Sequence, residues 1–391
     1  MKKVLIIIVL MFFFISPFIV NANQQVLLTD SITINESTKS AILFEPKTAT
    51  VIYEKESKKK LPPASMTKLM TMLLVCEAIE DKVLTTDQML TASKYATSMG
   101  GTQIYLEENE QMSVDDLLKS VALASANDAA IVLAEAIGGT CSNFVNMMNK
   151  KAEELGCVNS NFVNPNGLPE DGHYSCAYDM ALIGSKLLNN YEDLILPYTS
   201  LYEDYVREDL ENRFWLVNTN KLVKHVQGID GLKTGWTEEA GYCLTCTMKR
   251  NNVRMVSVVM GAESIDNRTT DTLNLLNYGV NNFSVEKVYC KNDVVGTYED
   301  IKLSPNEFHI VISEDVYTLK QKGQSSDDNN YKYEINIDES KIGLAENVGC
   351  LVIKKEDKII KKVDLIVLEN VEKANIISIL LKVLKEIFLV S

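Results

Sequence analysis

The chain of 391 residues is long enough for two ordinary domains and a sizeable core, and its 46% hydrophobic and 24% charged content is that of a globular protein. A formal net charge of −14 excludes a nucleic-acid binder, because so acidic a surface repels phosphate. The eight cysteines lie scattered in apolar surroundings and read as buried free thiols, in a chain too long to need disulfide staples.

The first stretch, MKKVLIIIVLMFFFISPFIVNA, pairs a basic start with an apolar run and ends in small or medium residues. It reads as a secretory signal peptide over residues 1–22, cleaved after Ala22. Ser16 and Pro17 interrupt the run, which is short for a membrane span. Its removal takes away Lys2 and Lys3 and no acid, so the charge of −14 becomes −16 in the mature chain.

Residues 23–283 read as one α+β domain. AILFEPKTATVIYEK holds two apolar runs around a Pro-Lys turn, which predicts a hairpin. PPASMTKLMTMLLVCEAIE (62–80) then predicts a helix with Ser65 as its N-cap. Lys68 stands where a capping box would carry Glu or Gln, and a cation there opposes the helix dipole. Such a local rule broken marks a candidate functional site.

DDLLKSVALASANDAAIVLAEAIGG (115–139) and CSNFVNMMNKKAEELG (141–156) carry apolar residues three and four apart and end at glycine, predicting two helices. After the loop NPNGLPEDGHYS, YDMALIGSKLLNN predicts another. Residues 242–248 and 253–261 return to strands, and 269–283 read as a closing helix. Strands from both ends of this region form an antiparallel sheet with helices around it. Cys243 and Cys246 form the only CxxC; on a strand their thiols point to opposite faces, and neither metal nor redox chemistry is read from them.

From 284 to 370 alternating segments (HIVISEDVYTL, YKYEINI, CLVIKKEDKIIKKVDLIVL) predict a small all-β domain, with KQKGQSSDDNN as a polar turn. Residues 371–391 place Asn375, Ser378, Lys382, Lys385 and Glu386 on one face of a helix that is otherwise apolar. This tail is too short and lysine-interrupted to span a bilayer comfortably. It reads as an amphipathic helix lying in a membrane surface, or else docked on the β-domain.

A serine nucleophile needs a base, and the three histidines (His173, His225, His309) have no clear Ser/Asp setting, nor is there a GxSxG elbow. A lysine serves instead if burial and positive potential lower its pKa. Lys68, three residues after Ser65 on a helix, lies on the same face. Ser125-Ala126-Asn127 offers a hydroxyl to relay a proton and an amide to hold a substrate. Lys233-Thr234-Gly235 puts a cation and a hydroxyl on a predicted strand edge, where glycine permits close backbone approach.

Ser-x-x-Lys, Ser-x-Asn and Lys-Thr-Gly in that order form the penicillin-recognising serine hydrolase set. With PASMTKLMT, SANDAA, GHYSCAYDMA and DGLKTGWTEEAGYC, the chain resembles the low-molecular-mass D-alanyl-D-alanine carboxypeptidases, serine peptidase family S11, from about residue 30 to the tail. The resemblance implies Ser65 as acylated nucleophile, Lys68 as general base and Ser125 as helper in proton transfer to the leaving D-alanine. It implies Asn127, Lys233 and Thr234 as substrate-binding, with the N–H groups of Ser65 and Trp236 as oxyanion hole, and Arg268 near the substrate carboxylate. Trp236 departs from the histidine or tyrosine of other members, which leaves its side-chain role open; His173 and Tyr174 read as a packed loop.

The implied ligands are peptidoglycan pentapeptide stems and β-lactam inhibitors, with the outer face of the cytoplasmic membrane as partner of the tail. No cofactor or metal is implied. A class A β-lactamase is the nearest alternative, but Ala126 stands where such enzymes typically carry Asp, and the region that follows Asn127, residues 128–200, holds no Glu-x-x-x-Asn. A non-catalytic wall-associated scaffold would leave these motifs without a purpose.

Overall fold

The computed structural model describes residues 32–208, 212–323, 331–342, 346–355 and 357–389. The predicted signal peptide and residues 324–330 of the polar turn lie outside them.

The predicted hairpin is present as β1 (Ser40–Glu45) and β2 (Thr50–Lys55). A 3-10 turn, Ala64–Thr67, then leads into α1 (Lys68–Glu80). Between α1 and the next long helices lie β3 (Met89–Thr91), α2 (Lys94–Thr97) and β4 (Gln111–Ser113). Then come α3 (Val114–Leu123), α4 (Asn127–Gly138), α5 (Cys141–Glu154) and α6 (Ala177–Thr199). A short hairpin, β5 (Glu203–Val206) and β6 (Phe214–Val217), and α7 (Leu222–His225) precede three long strands. These are β7 (Ile229–Thr237), β8 (Gly241–Arg250) and β9 (Val253–Ala262), closed by α8 (Ile265–Asn282).

The five long strands form one antiparallel sheet in the order β2-β1-β9-β8-β7, so chain segments more than 200 residues apart pair at its centre. All ten residues of β9 are buried, because both faces of the sheet are covered. Val256, Val258 and Met260 face the core made with α1, α3, α4 and α6, while Met255 and Val259 face α8. Cys243 belongs to the first core and Cys246 to the second, as strand alternation requires. From Lys68 through Cys76 every residue of α1 is buried, which is why that segment is apolar on every side apart from Lys68 and Thr71.

Two local expectations fail here. Ser65 is not an N-cap: it sits within the 3-10 turn, the cap position of α1 is Thr67, and neither turn nor helix has a side-chain cap bond. The Ser65 hydroxyl is instead committed to Lys68. The stretch 115–139 is not one helix but two, broken at Ser125, which adopts a left-handed φ of 66°. The Asn127 N–H is taken by Thr102 O and the Ala126 N–H by Ser120 O, so tertiary contacts hold a break that no glycine or proline announces.

The chain continues through β10 (Phe283–Tyr289), β11 (Val294–Glu299), β12 (Leu303–Ser304), β13 (Glu307–Ile312) and β14 (Val316–Gln321). The remaining strands are β15 (Tyr331–Ile337), β16 (Asn347–Lys355), β17 (Lys358–Val367) and β18 (Glu372–Lys373). A second sheet, β11-β13-β17-β16-β15, packs its own core around Ile310, Ile312, Leu351 and Leu365. The tail helix α9 (Ile376–Leu389) follows the β18–β12 pair, and Lys382 Nζ donates to Leu303 O at 2.8 Å. Ile377, Leu380, Leu381, Ile387 and Phe388 stay exposed on it. Among the described residues no helix is long and apolar enough to cross a membrane.

Candidate active site

The site lies where the 3-10 turn, the α3–α4 break, the 159–175 loop and the edge strand β7 meet. Gly235 sets how close strand and turn come: a Cβ there would stand 2.7 Å from Pro63 O and 3.1 Å from Met66 N. Any side chain would push β7 away from Ser65. Across the turn, Gly167 of the loop lies so close that its Cβ would overlap Ala64 O. Ala64 itself takes a φ of 48°, one residue before Ser65, a strained conformation that these surroundings impose.

Lys68 Nζ makes three contacts: Ser65 Oγ at 3.0 Å, Asn127 Oδ1 at 2.7 Å and the carbonyl of Asn166 at 2.6 Å. Two of these partners can only accept. As a neutral amine, Lys68 has two hydrogens for the two carbonyl oxygens and one lone pair for the Ser65 hydroxyl proton. Burial holds its pKa well below the usual lysine range, Lys233 pushes it further down, and Asp128 opposes. Asp128 is itself buried and accepts the N–H groups of Ile104 and Leu106, which ties the neighbouring loop to the start of α4.

Asn127 Nδ2 donates to Gly100 O at 2.7 Å, which leaves its second N–H for a ligand. Ser125 Oγ is buried without a hydrogen-bond partner among the described residues. Lys233 is fully buried; its Nζ donates to Thr234 O at 3.2 Å. Burial, reinforced by Arg268, pushes its pKa down to about 7. Thr234 Oγ1 donates to Thr219 Oγ1 at 2.8 Å, and Arg268, in the first turns of α8, is buried with its Nε unpartnered among the described residues. Two cations with unspent donors in a dry corner call for an anion. Trp236 is more than half exposed and tilts against Tyr242.

The structure thus gathers Ser65, Lys68 and Asn127 into direct contact and puts Lys233, Thr234 and Arg268 at the β7–α8 end. Sequence reasoning missed the parts that are backbone or support: the Asn166 carbonyl, Asp128, Thr219, and Asn220, whose Nδ2 holds Gly231 O at 3.1 Å at the start of β7. No residue-type signal marks a carbonyl. The packed-loop expectation for His173 stands, with detail added. Val163 N–H donates to Nδ1 at 3.1 Å, so Nε2 carries the proton and donates to Thr67 Oγ1 at 2.7 Å. Burial lowers the His173 pKa to about 4, which keeps the ring neutral.

A buried amine aligned on a serine, beside amide and cationic groups that can hold a peptide and its carboxylate, defines a serine hydrolase working by acyl transfer. The family model described as D-alanyl-D-alanine carboxypeptidase matches residues 28–264, and that of the penicillin-binding protein 5 C-terminal domain matches 283–373. The chain is 41% identical over 345 residues to D-alanyl-D-alanine carboxypeptidase DacF of Bacillus subtilis, covering 88% of each. It is 29% identical to DacA of Escherichia coli over 366 residues, 90% of this chain and 87% of that one. Among solved structures, penicillin binding protein 5 from Haemophilus influenzae superposes with a TM-score of 0.71 at 27% identity, covering 88% of this chain and all of that one. Penicillin-binding protein D2 from Listeria monocytogenes, solved with cefotaxime bound, gives 0.58 at 32% identity over 64% of this chain and all of that one. The chain belongs to the D-alanyl-D-alanine carboxypeptidase family of serine peptidases.

Proposed function

We propose that the protein removes the terminal D-alanine from peptidoglycan stem pentapeptides through a Ser65 acyl-enzyme, and that penicillin acylates the same serine. The observation that carries this is the Lys68 contact set: Nζ lies 3.0 Å from Ser65 Oγ and within hydrogen-bond distance of two carbonyl oxygens, so that as a neutral amine it can give both hydrogens to the carbonyls and keep its lone pair for the Ser65 proton. Ser65 Oγ attacks the carbonyl of the penultimate D-alanine while its proton passes to Lys68 Nζ. The N–H groups of Ser65 and Trp236 receive the developing oxyanion. The C–N bond then breaks and the leaving amine takes a proton from Lys68 by way of Ser125, whose hydroxyl is otherwise unpartnered. Water, deprotonated by the regenerated amine, releases the shortened peptide. Asn127 holds the substrate amide, and Lys233, Thr234 and Arg268 hold its terminal carboxylate.

On this reading residues 1–22 export the chain, 23–283 form the catalytic domain and 284–370 the β-rich domain. Residues 371–391 rest on the outer face of the cytoplasmic membrane, supported by the exposed apolar side chains of α9.

The test is paired. A labelled penicillin should attach covalently to wild type and not to Ser65→Ala, and wild type should release D-alanine from a peptide ending in D-Ala-D-Ala. Labelling that survives in the alanine variant would overturn the nucleophile assignment. Rapid penicillin turnover without D-alanine release would make the protein a lactamase, and neither adduct nor D-alanine would make it a scaffold.

A further inference from the structure

The proposed chemistry gives no part to Arg207, which follows the last residue of β5, adopts a left-handed φ of 58° and is buried. Its guanidinium reaches the segment that leads into β4. Nε and Nη2 donate to the two carboxylate oxygens of Glu110 at 2.6 and 3.0 Å, while Nη1 donates to Ile104 O at 2.9 Å and Nη2 to Tyr105 O at 3.4 Å. Only arginine offers this grip, because a compact ammonium lacks the planar span to hold a carboxylate and two consecutive carbonyls together.

What Arg207 holds leads to the site. Ile104 is gripped from both sides, its C=O by Arg207 and its N–H by the carboxylate of Asp128 at 3.2 Å. The residues just before it hold Asn127: Thr102 O takes the Asn127 N–H at 2.7 Å, and Gly100 O takes the side-chain Nδ2 at 2.7 Å. Asn127 Oδ1 in turn accepts from Lys68 Nζ. The hairpin that carries Arg207 is fixed from its other strand too, since Thr219, two residues beyond β6, gives its N–H to Leu123 O and accepts from the Thr234 hydroxyl. Segment 100–106 is thus clamped between the hairpin and the start of α4, and every one of these grips is on its backbone. Tyr105 takes a left-handed φ of 56°, a conformation that a non-glycine residue keeps when its surroundings impose it.

We propose that Arg207 is a positioning residue for acyl transfer: it fixes the 100–106 segment, and through it the Asn127 amide that faces Lys68 and the substrate. The proposal rests on the reading of Ser65 as the acylated serine and Lys68 as its base. Glu110 neutralises the buried guanidinium and orients it toward the two carbonyls. Without Arg207 the segment keeps its Asp128 contacts and loses its outer hold. A displacement of about 1 Å at a positioning group costs on the order of a hundredfold in rate.

The experiment measures the rate of penicillin acylation of the mature chain, with each variant assayed well below its unfolding midpoint. Arg207→Ala is expected to slow acylation about ten- to a hundredfold. In an Asn127→Ala background the same substitution should cost less than about twofold, because two residues that act through one group are not additive. Arg207→Lys keeps an ion pair with Glu110 and gives up the hold on both carbonyls. It should recover most of the stability and little of the rate, and it carries the test should Arg207→Ala not fold. A wild-type rate in either arginine variant, or full multiplication of the two losses in the double variant, overturns the positioning role and leaves the acyl-enzyme reading intact. Absence of acylation in the wild type overturns that reading and the proposal with it.

Discussion

Lys68 Nζ stands 3.0 Å from Ser65 Oγ, and its other two contacts are the oxygens of the Asn127 amide and the Asn166 carbonyl. Burial and the nearby Lys233 favour its neutral form, and the proposed base role depends on lysine being able to lose its proton. Arginine keeps the charge and cannot do so near neutral pH. Lys68→Arg is therefore expected to lower the rate of penicillin acylation by about 10²–10⁴. Circular dichroism should show the fold retained.

The Lys233 pKa of about 7 predicts an alkaline limb in the pH profile. A depressed lysine pKa means the cation is present below about 7 and lost as pH rises through that value. If, as proposed, Lys233 binds the substrate carboxylate as a cation, kcat/KM should fall above neutrality, since it reports the free enzyme. In Lys233→Arg, which stays charged, the falling limb should move to higher pH. An unmoved limb would assign that ionisation to another group.

Gly235→Ala tests the spacing of strand and turn. The added Cβ would meet Pro63 O at 2.7 Å and Met66 N at 3.1 Å, and both of these are backbone atoms that cannot simply rotate away. A stability loss of about 1–3 kcal/mol in urea unfolding is expected, together with slower acylation.

His173 holds the loop to Thr67, between Ser65 and Lys68 in sequence. Its pKa is lowered from 6.5 to about 4, so the unfolded chain binds the extra proton between those values. The stability that this neutral ring contributes is complete above pH 6.5 and is lost as pH falls toward 4. His173→Phe should flatten that part of the stability-versus-pH curve, measured by denaturant midpoints.

A stop codon after Ala374 keeps the β12–β18 pair and removes α9. The full mature chain should sediment with lipid vesicles and the shortened chain should remain in solution. Sedimentation of both would move membrane contact elsewhere.

Much of the fold could be read from pattern. The hairpin around Pro46-Lys47, the strands at 242–248 and 253–261 and the change to an all-β character near residue 284 all follow alternation and turn chemistry. What pattern could not supply was the break at Ser125. Its flanks carry no glycine or proline and are mostly helix-favouring, and the Thr102 and Ser120 carbonyls that take the Asn127 and Ala126 N–H groups hold the break. Ser65 shows the reverse error: a serine before a helix has the chemistry of a cap, and its hydroxyl is drawn instead to an amine that packing has buried.

The sequence by itself determined which groups are available: a serine and a lysine three positions apart, a second serine with an asparagine, and a lysine and threonine before a glycine. Spacing along one helix also put Ser65 and Lys68 on a common side. Only the tertiary structure decided that the other groups converge on them, because the sheet joins strands far apart in the chain and the loop carbonyl at Asn166 comes from 98 residues beyond Lys68. It also decided the protonation on which the chemistry depends. Desolvation and the neighbouring cation are properties of the packed interior, and they lower the pKa of an otherwise ordinary lysine, as the proposed role of base requires.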